Sequence, residues 1–350
     1  MSVLKECKLS YREDIKIFQT NFSLFWLYSF ITFILIIPFI VDRHILSLLV
    51  FTECAVIGAI GLNILTGFTG QISLGQAGFL AVGSYTTAIF AKKLGLPFYI
   101  TMPLSGIISA IIGLIVGLPS IKLKGFYLAL STLAFSKIIE HLAYRWVSLT
   151  GGAFGLDVPP PSIAGYYFNT ERRLYYLFIV IVFFVIIYAK NILRTKVGRA
   201  FIAIRDSDIS SKVIGINLIK YKLLSFMISS FYAGIAGSAY AYTLNFIAPD
   251  HFNIFLSVEY IAMIIVGGLG SILGSIYGAI VITLLPETIR IIAGKMGTLF
   301  PILNEAYLVS KMQKFIFGFI IVIFLLLEPT GLRGLWERVK TYWKSWPFTY

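Results

Sequence analysis

Glu53, Asn63, Gln71, Ser73 and Gln76 are polar side chains set within or beside two apolar runs of a 350-residue chain. Four of the five are neutral hydrogen-bonding groups, a type that suits a zwitterion or small polar solute that must pass without being held tightly. Residues 61–85, GLNILTGFTGQISLGQAGFLAVGSY, contain four of them together with six glycines. Lipid cannot satisfy a side-chain amide or a freed backbone N–H, so this stretch must be buried in protein or face a water-filled path. Gly67, Gly70 and Gln71 interrupt it, which reads as a tight turn or a broken helix dipping into the bilayer, or as an ordinary hairpin with glycines for close packing. For each polar residue two roles stay open: lining a path, or satisfying the broken backbone.

No enzyme chemistry is written in the rest of the chain. His44, His141 and His251 are scattered, without ligand spacing to cysteine or carboxylate, so no metal and no catalytic residue are expected. Cys7 and Cys54 are placed for neither a disulfide nor a metal. Gly294-Lys295 lacks the upstream glycine and the following hydroxyl of a phosphate-binding loop, so any ATP hydrolysis must come from separate subunits. Lys137 and Glu140 lie at i,i+3 and can pair as a structural unit or mark a site. Glu259 and Glu287 fall near ends of apolar runs.

The elements that must position these residues are membrane spans. The chain is 58% hydrophobic and 13% charged, with mean hydropathy +0.87. A span needs about 20 apolar residues, and about ten are predicted: near 24–41, 45–64, 72–91, 98–118, 125–144, 174–189, 223–245, 256–268, 271–289 and 314–328. The fold class is an all-α polytopic membrane protein. A polar lead (1–23) precedes the transmembrane region (24–328), and a basic tail (329–350) follows it, carrying Trp336, Trp343 and Trp346 for the headgroup layer. The net charge of +13 matters less than its distribution: eighteen of the 29 Lys/Arg fall on one side of this topology and ten on the other. That bias makes the partner a lipid bilayer rather than nucleic acid and puts both termini in the cytoplasm.

Small residues recur at four-residue spacing as Ser105, Ser109, Gly113 and Gly117, and again as Gly267, Ser271, Ser275 and Ala279. Close helix packing and a smooth pore wall are the two uses of such a face. The glycine-broken VGGLGSILGS (266–275) echoes TGFTGQISLG (66–75), as paired interrupted spans do in an inverted repeat. The most basic inner stretch, 190–222, contains a short helical signature with N-caps at Asp206 to Asp208 and a stop at Gly215. The Gly/Pro-rich loop 151–165 is too broken for regular structure.

TGFTGQISLGQAGF closely resembles the signature of permease subunits of bacterial branched-chain amino acid ABC importers. GRAFIAIRD followed by GINLIKYKLLSF resembles the ATPase-facing loop of that family, and LEPTGLRG at 327–334 resembles its closing motif, particularly in the longer, M-type subunit. The matches run from about residue 53 to 334. The resemblance implies two inverted halves with broken or re-entrant spans in a bacterial inner-membrane complex. Its partners would be a second, homologous permease, two ATPases and an extracytoplasmic binding protein docking at the 151–165 loop. It puts the coupling role on Gly198, Arg199, Ala203, Arg205, Asp206 and Gly215, with Ser210 and Ser211 standing where the family's small alanines are expected. Branched-chain or other apolar amino acids are the implied cargo and no cofactor is implied. Urea or short-amide importers use similar permeases, and a gradient-driven transporter is the rival of another class, with Glu53 or Lys137/Glu140 as its cycling groups.

Overall fold

The structure is a computed structural model that describes residues 21–163, 165–297 and 331–345, with positions 315, 318, 319 and 322. The lead up to residue 20, most of the span expected at 314–328, Cys7, Trp346 and the motif residues Leu327 to Thr330 lie outside the described residues. The chain divides into two compact units, Met1–Leu46 and Ser47–Tyr350. The first holds helix α1 (Asn21–Ile40), which has no charged residue and carries Pro38 within it. It also holds the first residues of α2 (Arg43–Asn63).

Six helical segments among the described residues are long and apolar enough to cross a membrane: Arg43–Phe68, Phe98–Gly117, Glu171–Arg194, Leu218–Leu244, Pro249–Gly267 and Ile272–Ile291. Three more expected spans form helices of span length, the uncharged α1 and, further along, α3 (Gln76–Leu94) and α5 (Phe126–Arg145). The last two are less apolar, because α3 carries Ser84, Thr86, Thr87, Lys92 and Lys93, and α5 carries Lys137, Glu140, His141 and Arg145. The expectation of about ten spans is therefore met in part.

Within the second unit, α10 (Leu218–Leu244) is the axis, packed along α4 (Phe98–Gly117) and α3. Beside the buried rings of Phe226, Tyr232 and Tyr242, it buries the small residues Ser225, Ser229, Ser230, Ala233, Gly234, Ala236, Gly237 and Ser238. Side chains this small let backbones approach closely, which is what drives helix association where lipid is as apolar as leucine. The α4 stripe meets these residues. Ser105 Oγ donates to the Gly234 carbonyl at 3.1 Å. A side chain on Gly113 would overlap Ser230, and one on Gly117 would press on Phe226. The packing reading of this stripe holds. The same device joins α11 (Ile254–Gly267) to α12 (Ile272–Gly297), where a methyl on Gly267 or Gly278 would collide with the carbonyls of Gly274 or Met263.

The loop after α5 and the short helix α6 (Val147–Thr150) is more regular than its composition predicts. Two-residue strand β1 (Leu156–Asp157) pairs antiparallel with β4 (Phe246–Ile247), and β2 (Ser162–Ile163) pairs with β3 (Tyr166–Tyr167). The first ladder needs a partner beyond α10, which local composition does not reveal. Helix α7 (Glu171–Arg194) then leads to the basic stretch, two short helices and α10.

Candidate functional site

Helix α2 does not stop at Asn63. It passes into one π-helical turn, Ile64–Phe68, and helical structure resumes only at Gln76, the start of α3. The interruption covers residues 64–75, between the end of regular α-helix at Asn63 and the start of α3 at Gln76. Its freed backbone groups find partners inside the protein. Gln71 N–H donates to the Leu65 carbonyl at 3.1 Å. Leu74 N–H donates to Thr132 Oγ1 of α5, and Ala77 N–H to Ser257 Oγ of α11, both at 2.9 Å. Thr66 Oγ1 donates to the Gln71 carbonyl at 3.1 Å. Hydroxyls on neighbouring helices do what water does for a soluble loop.

A second break, Gly268–Ser271 between α11 and α12, lies against the first. Asn63 Nδ2 donates to the Ser271 carbonyl at 2.8 Å and to Ser275 Oγ at 2.6 Å, while its Oδ1 accepts from Gly270 N–H at 2.9 Å. Gly67 and Gly270 touch backbone to backbone, so a side chain on Gly67 would overlap the Gly270 nitrogen. The two glycine-broken stretches that echo each other in sequence are thus neighbours in space. Gly331, of the closing motif, packs on the second break, where its Cβ would sit 2.6 Å from the Gly268 nitrogen.

Asn63, Gln71, Ser73 and Gln76 are all buried near the first break, but no two of the five proposed path residues hydrogen-bond to each other among the described residues. Asn63 faces α12. Gln71 faces α10, its Nε2 donating to Ser225 Oγ at 2.6 Å. Ser73 Oγ accepts from Gly75 N–H at 3.3 Å, and Gln76 Nε2 donates to the Gly58 carbonyl at 3.0 Å. Glu53 stands apart, ten residues before Asn63 on α2. It is 6% exposed, and neither carboxylate oxygen has a hydrogen-bond partner among the described residues. Gln71 Oε1 is likewise bare.

The basic stretch forms two helices, α8 (Lys196–Asp206) and α9 (Asp208–Val213), while Lys190 and Arg194 extend α7 and Lys220 and Lys222 begin α10. Thr195 caps α8 and Ser207 caps α9, the latter accepting from Ser210 N–H at 3.2 Å. Gly215 ends the hairpin at φ +86°, a left-handed conformation that favours glycine. Gly198 sits in the elbow after α7, where any side chain would strike the Leu193 carbonyl. Arg199 Nη1 lies 3.5 Å from the Arg194 carbonyl, and the Ala203 carbonyl receives Ser207 N–H at 3.0 Å. Arg205 pairs with Asp206 at 3.2 Å and donates from Nη1 to the Gly67 carbonyl at 3.1 Å. Of the six coupling residues, Arg205 alone bonds to the helix break among the described residues.

Sequence reasoning missed an ion cluster behind this hairpin. Asp208 Oδ2 accepts from Lys124 at 2.7 Å and from Lys222 at 3.0 Å. Burial pushes the Asp208 carboxyl up, but the hydrogen bonds and charges of Lys124 and Lys222 outweigh it and hold it below the usual carboxylate range. The three residues come from three segments, so no local spacing announces them. Ser225, Thr132 and Ser257 were missed as well. Their one signal is a hydroxyl within an expected span, and other hydroxyls on the same helices share it.

Buried apolar helices, breaks satisfied from within and a basic hairpin together define a multi-pass membrane protein. Residues 44–325 match the family described as branched-chain amino acid transport system / permease component, and the chain belongs to that family. It is 30% identical over 277 residues to the high-affinity branched-chain amino acid transport system permease protein LivM of Salmonella typhimurium, covering 72% of this chain and 65% of that one. The LivM protein of Escherichia coli is 29% identical over the same shares. The probable branched-chain amino acid transport permease protein LivH of Methanocaldococcus jannaschii is 26% identical over 302 residues, covering 83% of this chain and 92% of the relative. The chain thus spans 65% of the length of the two LivM relatives. No solved structure matches it.

Proposed function

We propose that this chain is a permease subunit of an ATP-driven importer, forming half of a path for branched-chain amino acids beside a second, homologous permease. The observation that carries the reading is the Arg205–Gly67 hydrogen bond, which links the capped basic hairpin to the helix break. A push on α8 and α9 from a soluble ATPase reaches the interrupted segment through one side chain, with no flexible linker between. The names of the similar permeases support the cargo. Two ATPases would dock on the hairpin, with Gly198, Arg199, Ala203, Arg205, Asp206 and Gly215 shaping the contact. An extracytoplasmic binding protein would deliver substrate at the opposite end.

In this reading the basic end and both termini face the cytoplasm of a bacterial cell, in the inner membrane. The N-terminal lead, the transmembrane region 24–328 with about ten spans in two inverted halves, and the C-terminal tail keep the boundaries the sequence predicts. Asn63, Gln71, Ser73 and Gln76 border the path at the break, and Glu53 lies further along α2. ATP-dependent uptake of labelled leucine, in vesicles holding the chain with its ATPases and binding protein, is the expected result. Urea uptake instead, or leucine uptake that ignores ATP and follows an ion gradient, would overturn the reading.

A further inference from the structure

A cavity of about 290 Å³ opens beside the first break, under the α8–α9 hairpin. That volume is at the lower edge of the range for small-molecule sites. Two ammonium groups, Lys124 and Lys222, line it, and the one carboxylate oxygen they share leaves an excess of one positive charge. Lys222 is the telling member, because its side chain is only 8% exposed and so little of its charge can be left to bulk water. Arg205 and Asp206, also on the wall, neutralise each other. The site therefore has room for a small anion.

A second feature asks for a donor. Gln71 lines the cavity, is 4% exposed, and its Oε1 has no partner among the described residues. The amide orientation is fixed by its neighbour: Ser225 Oγ donates to the Lys222 carbonyl at 2.8 Å and must accept from Gln71 Nε2 at 2.6 Å. The bare atom is thus the acceptor. Leu123, Leu128 and Ile204 give the wall an aliphatic portion, beside Thr69, Gly70, Gly125 and Ser207. A carboxylate for the lysines, an N–H donor for Gln71 and a branched hydrocarbon for the three aliphatic residues are the parts of one molecule.

We infer that this cavity binds a free aliphatic α-amino acid from the basic side of the membrane, and that the bound molecule restrains the hairpin against the break. Released product would in this way slow its own import. The inference rests on the cargo and orientation proposed above, and it adds a site separate from delivery by the binding protein. The cavity walls include Asp206, Ser207 and Asp208 of the hairpin as well as Thr69 and Gly70 of the break, so a ligand there bridges the two.

The test uses the full chain alone in lipid nanodiscs, without ATPases or binding protein, and measures binding of tritiated L-leucine. Saturable binding is expected, at least tenfold weaker for isovalerate, which lacks the ammonium, for isopentylamine, which lacks the carboxylate, and for glycine, which lacks the side chain. Lys124→Ala and Leu128→Phe should each weaken leucine binding at least tenfold. Leu128 is buried and its enlargement can disturb folding, whereas the Lys124 side chain is 67% exposed and its truncation leaves Asp208 still paired with Lys222. Equal competition by inorganic phosphate or isovalerate would reduce the site to an anion site and overturn the inference, as would unchanged binding in Lys124→Ala. A second arm loads transport vesicles with leucine on the ATP side and reads the ratio of uptake with and without it. The ratio should fall at least threefold in the wild-type protein and return towards one in Lys124→Ala. ATP-driven leucine uptake without any such fall would remove the inference and leave the proposed function standing. Failure of ATP-driven leucine uptake itself would strike that function instead.

Discussion

Asn63 and Glu53 stand ten residues apart on the same helix, both buried, and they are treated in opposite ways. Asn63 uses its amide nitrogen and its carbonyl oxygen to bind the second helix break. Glu53 places two carboxylate oxygens in the interior with no hydrogen-bond partner among the described residues. The difference separates two roles that residue type alone confounds. A buried polar group whose capacity is used up by neighbouring backbone is holding structure. One left bare in an apolar interior costs stability and calls for another explanation.

The largest effect should come from emptying the matched site. Asn63→Leu leaves Gly270 N–H without its acceptor and takes the amide donor away from the Ser271 carbonyl and Ser275 Oγ, at a position only 1% exposed. Each orphaned buried group costs on the order of 1–3 kcal/mol, moderated in membranes because unfolded spans also find partners. A loss of about 2–4 kcal/mol is expected, seen as a clear fall in the melting temperature of the detergent-solubilised chain. A variant that melts with the wild type would show that the two breaks are held by glycine contact alone.

Gln71→Leu should cost less, about 1–2 kcal/mol, because the lost amide group donates to Ser225 Oγ at 2.6 Å and only at 3.4 Å to the Lys222 carbonyl, while Oε1 was already bare. If Gln71 borders the path, uptake falls by more than the small loss of folded protein accounts for. Equal falls in uptake and in folded protein would return Gln71 to the structural class with Asn63.

The Asp208 cluster sharpens the comparison outside the spans, where pH can be used. Its carboxyl titrates below the usual range, so its contribution is fully present above the unfolded-state value of about 3.9 and is lost as pH falls through the lower folded value. Asp208→Asn should destabilise by about 1–2 kcal/mol at neutral pH, since one partly exposed carboxylate serves two lysines. The gap between variant and wild type should stay constant from pH 7 to about 5 and close below about 4. A gap that closes near pH 6 would mean that a different group is titrating.

How much of this was legible beforehand follows from where the information lies. The break at Gly67–Gln71 was readable because its glycines and amides violate an apolar pattern within a few residues. The stop at Gly215 was readable for the same reason, since a left-handed glycine after a capped turn is a local event. The α4 stripe announced that something packs on it, and α10 supplies the matching face. The Lys124–Asp208–Lys222 cluster and the hydroxyls of Thr132 and Ser257 were not readable, because each acts on a segment far away in sequence. Local pattern finds where the backbone is broken. It does not find who repairs it.

The smallest expected effect on folding is at Glu53. Glu53→Gln keeps the volume and removes the charge, and no hydrogen bond among the described residues depends on either oxygen. Its melting temperature should match the wild type or exceed it slightly, because a buried carboxylate without partners contributes nothing that an amide loses. Uptake is the quantity that should respond, falling several-fold if the carboxylate meets the ammonium end of a passing amino acid. The contrast with Asn63 then becomes a crossing of two readouts: at Asn63 stability falls and takes transport with it, while at Glu53 transport falls alone. If Glu53→Gln instead melts several degrees lower, the carboxylate is holding a contact as Asn63 does, and the distinction between matched and bare residues on this helix collapses.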